Sequence, residues 1–198
     1  VVQLDGSALK ATFRSGHYVL NKPMPSGSRF RTSIKTDWPT NVYLIGGDKT
    51  GDYVELFPRN TAIEPHASKG ATVLLPGPTE DYFSRLNETV GTDYYIVLLS
   101  QHALDIGVVS HDMKKGSGSP MARLNRVLGD ALVKTDDIDF SKTRIGFKAA
   151  SGEASVVPII LEISHVALNE SKGDTIGPAI VLQEPALEAF DAAVDADL

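Results

Sequence analysis

The chain has 198 residues, 42% hydrophobic and 22% charged, which is the composition of a folded globular protein long enough to bury a sizeable core, and it excludes a disordered chain. The 25 acidic residues outweigh 19 basic ones for a net charge of -6, with no long Lys/Arg run, so the phosphate-neutralising surface of a nucleic-acid binder is missing. Zero cysteines exclude disulfides, thiolate metal sites and a cysteine nucleophile, and suit an oxidising compartment.

No stretch approaches the roughly 20 apolar residues that cross a bilayer as a helix. The opening Val1-Val2-Gln3 reads as that of a processed mature chain or an excised fragment. The first clear strand runs from Arg29 to Thr36, where Phe30, Thr32 and Ile34 alternate with Arg29, Arg31, Ser33 and Lys35, a period of two that buries one face. Asp37-Trp38-Pro39-Thr40-Asn41 breaks it with turn residues, and Val42 to Ile45 resumes it.

Gly46-Gly47-Asp48-Lys49-Thr50-Gly51-Asp52 tolerates positive φ and leads into the apolar run Tyr53 to Phe57, which predicts a hairpin ended by Pro58. A short strand at Val73-Leu74-Leu75 stops at Pro76 in the same way. Tyr94 to Ser100 is apolar on both faces and predicts a central strand, the heart of the core.

Gly116-Ser117-Gly118-Ser119-Pro120 is a linker. After it Met121, Leu124, Val127, Leu128 and Ala131 recur at three- and four-residue steps, with Ser119 as cap and Pro120 at the first helical position, so one amphipathic helix is predicted at about 119–132. Strands return at Arg144 to Lys148 and Val156 to Val166, joined by Ala149 to Glu153, with Pro158 placing the second beside an edge or a bulge. One more possible strand, Ala179 to Leu182, precedes an acidic tail that ends at Leu198.

The motifs Tyr43-Leu44-Ile45, Leu56-Phe57-Pro58-Arg59-Asn60, Leu74-Leu75-Pro76 and Gly91-Thr92-Asp93 leading into Ile96 to Ser100 follow a recognisable order. Over roughly residues 17–104 the chain resembles an uncharacterised bacterial domain family with a Leu-Phe-Pro-Asn signature, attached elsewhere to caspase-like peptidases, kinases or lipoprotein segments. Arg59 is inserted in that signature and Asp93 replaces the usual Glu. The resemblance implies a β-sandwich accessory domain in an extracytoplasmic or multidomain bacterial setting, and carries over no catalytic residues.

Asp48 and Asp52 could offer oxygens to a hard cation, but the loop lacks the spacing and the bidentate Glu of an EF-hand, and a solvated turn is the plainer reading. His17, His66, His102, His111 and His165 are scattered, with no zincin spacing; His102 and His111 flank a segment that could loop back to make a composite site. No Gly-x-Ser-x-Gly elbow, Gly-x-Gly-x-x-Gly or Walker sequence occurs. The acidic pairs Glu80-Asp81 and Asp136-Asp137 would serve hydrolysis only if carboxylates faced each other across a cleft. Trp38, Tyr43, Tyr53, Tyr82, Tyr94 and Tyr95 are candidates for a binding platform, though at least half belong in a core.

These readings converge on a mainly β fold, an antiparallel β-sandwich with one helical insertion, formed by residues 1–168, and a C-terminal appendix over residues 169–198 that ends in the acidic tail. The expected function is a non-enzymatic, extracytoplasmic interaction domain of a bacterial surface or envelope assembly, located in the periplasm, at the cell surface or outside the cell. A protein partner is expected, with no nucleic acid, cofactor or metal. A carbohydrate-binding sandwich and a hydrolase using paired carboxylates are the alternatives.

Overall fold

A computed structural model describes residues 2–3, 9–60, 62–77, 83–141, 147–149 and 155–168, all within a compact unit spanning Val1–Leu168. In chain order the strands are β1 (Val2–Gln3), β2 (Ala11–Arg14), β3 (His17–Leu20), β4 (Met24–Pro25), β5 (Arg29–Lys35), β6 (Thr40–Asp48), β7 (Tyr53–Phe57), β8 (His66–Ala67), β9 (Thr72–Leu75), β10 (Ser84–Arg85) and β11 (Gly91–Ser100). Helices α1 (Ile106–Lys114) and α2 (Pro120–Leu128) come next, then β12 (Ile138–Phe140), β13 (Phe147–Ala149) and β14 (Val156–Val166).

The larger sheet runs β2-β3-β14-β11-β6-β7, with β4 beside β14 and β8 beside β6; the smaller runs β1-β5-β10, with β9 also on β5. Strand β11 is central as its apolar run predicts: Gly91–Ser100 pairs along its full length with β14 and along most of it with β6. Because side chains alternate across a strand, the sheet buries both faces. On one, Val42, Leu44, Tyr95, Val97 and Leu161 meet Phe30, Leu75 and Leu86 of the smaller sheet and its connections. On the other, Tyr43, Ile45, Ile96, Leu98 and Ile160 meet Ile106, Val109 and Met113 of α1 and Leu124 of α2.

The mainly β, sandwich-like architecture is the one expected, with most neighbours antiparallel; β14 pairs in parallel with β3 and β4. Pro158 is tolerated because it faces Leu98 of β11 on one side, while on β14's other side the partners stand clear of it, Leu132 at Val156 and β3 from Leu161. Among the described residues the helical insertion, between β11 and β12, holds two helices where one is predicted. The second begins as predicted, with the Ser119 side chain accepting from Ala122 N and Pro120 opening the helix, but gives way at Gly129 (φ 52°) to a short 3₁₀ turn.

Helix α1 was not anticipated. Asp105 caps it by accepting from Val108 N at 3.0 Å, and Ile106, Val109, Ser110 and Met113 form its buried stripe. Two adjacent valines in a nine-residue segment obscure that stripe, since β-branched residues favour strands. The expected 149–153 joint, the 179–182 strand and the 169–198 appendix lie outside the described residues, except Ala149, which ends β13. Of the strand expected at Arg144 to Lys148, only the part in β13 is described.

Candidate functional site

Between the β6–β7 hairpin and β10 the smaller sheet fails to cover the larger one, and a cleft of about 360 Å³ opens. Gly46 lines its floor and leaves room for the Leu56 side chain to close over it; a Cβ at that position would stand 3.1 Å from Leu56 Cδ1. A bulge in β7 makes the near wall, since Leu44 faces Phe57 and Ile45 faces Glu55, leaving Leu56 as the extra residue. Leu56 and Phe57 therefore both lean toward the cleft beside Val54, which is 45% exposed. Pro76, Phe83, Arg85 and Leu86 form the opposite wall.

At the hairpin end stand Asp48 and Asp93, directly opposite each other on adjacent strands. Asp48 organises its own turn: Oδ1 accepts from Thr50 N at 2.8 Å, Thr50 Oγ1 at 2.6 Å, Gly51 N at 3.1 Å and Asp52 N at 3.2 Å. Burial pushes its pKa up, but these hydrogen bonds prevail and hold it below the ordinary 3.8. Burial also pushes Asp93 up; His165 draws it back and the Asp48 charge adds to the rise, leaving it above 3.8. Asp52 pairs instead with Lys114 of α1, at 2.9 Å. The two loop carboxylates thus serve a turn and an ion pair, and among the described residues no three His, Asp or Glu side chains converge as a metal site would need.

Asp93 leads inward to a cluster that the sequence did not suggest. Its Oδ2 lies 2.7 Å from Nδ1 of His165, whose side chain is wholly buried, and Nε2 of that ring lies 3.0 Å from Oγ of Ser26. The spacings are those of a serine-hydrolase triad, though the Asp93–His165 approach lacks the alignment of a linear hydrogen bond.

The surroundings of Ser26 are not those of a nucleophile. It is 7% exposed and does not line the cleft. Ser26 N donates to Val166 O, Gly27 N to Leu86 O and Ser28 N to Pro25 O, so the amides around the hydroxyl are committed and no oxyanion hole is formed by them. With Nδ1–H facing the carboxylate, Nε2 of a neutral ring accepts the Ser26 proton; a protonated ring would turn that proton toward Val166 O, 3.4 Å away. In either state the cluster ties β14 to β11 and to the end of β4.

The expected aromatic platform is dispersed. Trp38 is 76% exposed in the turn between β5 and β6, whereas Tyr43 and Tyr53 are each 1% exposed in the core beneath the helices and present no ring face to solvent. The Tyr43 hydroxyl accepts from Leu104 N at 2.8 Å, and Tyr53 lies under the Arg123 guanidinium, 5.3 Å from its ring centre. Tyr95 is buried and donated to by Thr32, and desolvation pushes its phenol up to about 12. Tyr94 lines the cleft; Tyr82, Glu80 and Asp81 lie outside the described residues.

His102 and His111 are exposed, as are Asp136 and Asp137 on a 3₁₀ turn, and His17 meets Glu162 at 3.1 Å.

A family model described as a domain of unknown function (DUF4384) matches residues 24–103. A search of the curated proteins and a search of the solved structures each return no match. The matched stretch runs from β4 to just past β11 and contains every cleft-lining residue except Ile163, so it is through the half of the sandwich that builds the cleft that this chain is similar to that domain of unknown function.

Proposed function

We propose that this chain acts as a non-enzymatic accessory domain of a bacterial surface or envelope assembly and holds a protein partner in the cleft between β7 and β10. The observation that carries the reading is the cleft itself: an open hollow with an apolar floor, walled by Val54, Leu56, Phe57 and Phe83 and rimmed by charged side chains, within the stretch similar to the domain of unknown function. The sealed environment of Ser26 supports the non-enzymatic part. Asp48 and Asp93 do meet at the cleft, but as neighbours on one wall; a paired-carboxylate hydrolase needs its two groups on opposite sides of the scissile bond. The extracytoplasmic setting is supported by the absence of cysteine and by the resemblance read over residues 17–104.

The test is a photo-crosslinking amino acid placed at Val54 in the full chain, with one at Arg14 on β2 as control. A single protein from the envelope fraction, captured at Val54 and not at Arg14, is the expected result. Equal labelling at both positions would refute the reading.

A further inference from the structure

Resting on that reading of the cleft, we infer that its occupant is a peptide segment of the partner that sets a Lys or Arg side chain against Asp93 and Asp48 and lays an apolar side chain on the wall of Val54 and Leu56. The charges on the walls favour this occupant. Asp48 and Asp93 are a directly opposed cross-strand pair, an arrangement that like charges disfavour and that a cation between them relieves. Each spends one oxygen on protein partners, Asp48 Oδ1 on its turn and Asp93 Oδ2 on His165.

Of the cleft's two guanidinium groups, Arg85 stands beside Gly27 on the opposite wall and is engaged by Glu88 at 3.2 Å, and Arg59 follows Phe57 at the far end of β7. The carboxylates stand at the hairpin end of a five-residue strand, a run of about 17 Å. An extended peptide of similar length follows that wall, with its basic residue at the hairpin end. The apolar wall along it, Val54 foremost, is more than a small amine would cover.

The experiment is fluorescence polarisation of the full chain with three labelled, end-capped peptides of one frame, Gly-Leu-X-Phe-Gly, in which X is Lys, Gln or Glu. The Lys peptide is expected to bind about tenfold more tightly than the Gln peptide and to lose that advantage in Asp93→Asn and in Asp48→Asn. The second variant leaves His165 untouched and keeps an amide oxygen for the turn. Val54→Glu is expected to weaken all three peptides.

Equal binding of the Lys and Glu peptides overturns the inference, as does competition by n-butylamine at the same concentration as the Lys peptide. Equal Lys and Gln affinities that Val54→Glu abolishes would leave the cleft as the partner site while removing the cationic anchor. Binding by none of the peptides, with the Val54 crosslink retained, would also overturn the inference and not the reading beneath it.

Discussion

Replacing His165 by alanine is expected to lower stability by about 3 kcal/mol, and the structure sets the size of that loss. The His165 side chain is fully buried and touches Ser26 at 3.0 Å and Asp93 at 2.7 Å. Losing the neutral contact costs about 0.5–1.5 kcal/mol. Leaving the Asp93 carboxylate buried without its partner costs up to about 3–5 kcal/mol, which the 17% exposure of its side chain reduces because water reaches part of it.

For a chain of this length the melting temperature should fall by roughly 6–12 °C. Urea unfolding followed by far-UV circular dichroism is the appropriate assay, since the sole tryptophan, Trp38, is already 76% exposed and its emission reports little of unfolding. Ser26→Ala should cost only about 1 kcal/mol. At neutral pH the double variant Asp93→Asn/His165→Ala should be more stable than His165→Ala alone, because the stranded charge is gone. A His165→Ala loss below about 1 kcal/mol, or a double variant weaker than the single, would refute the account of this cluster as a structural tie.

Arg123, 7% exposed, donates to Met113 O at 2.7 Å and Gly118 O at 3.1 Å, closing the end of α1 against the start of α2; Arg123→Met should cost about 2–4 kcal/mol in the same assay, and an unchanged midpoint would show the guanidinium to be dispensable. The two cleft carboxylates should leave opposite marks on stability between about pH 3 and 6. Asp93's folded pKa lies above 3.8, so its contribution is full below that value and is lost as pH rises through the folded pKa; Asp93→Asn should remove this falling limb. Asp48's lies below 3.8, so its contribution is present above that value and is lost as pH falls through the folded pKa; Asp48→Asn should flatten the acid limb, and variants with unchanged slopes would contradict the assignment. A fluorophosphonate probe should leave Ser26 unlabelled in the folded protein, whereas labelling that His165→Ala abolishes would make the cluster a working triad.

Period-two alternation and its turn residues located the longer strands from β5 onward, though not β2 and β3, because side chains that point alternately in and out write their burial directly into the chain. Tyr53 to Phe57 and Val156 to Val166 match β7 and β14 end to end, and the Ser119-Pro120 signal marks the start of α2. Local pattern also placed Asp48 and Asp52 in a turn, which is where hydrogen bonds and an ion pair use them.

What lay beyond the sequence was whatever depends on which strand comes to lie beside which. Tyr43 and Trp38 are both aromatic residues beside a turn, yet one is buried beneath α1 and α2 and the other stands in solvent, a difference set by where the helices pack. Ser26 and His165 are 139 positions apart and meet only because β4 runs in parallel beside the end of β14, while the register of β14 on β11 brings Asp93 to the other side of the ring. The cleft likewise follows from a bulge at Leu56, whose side chain Gly46 leaves room for, where the smaller sheet ends. Burial pattern is a property of neighbours along the chain and survives in the sequence; sites made by cross-strand register and sheet-on-sheet packing exist only once the chain has folded.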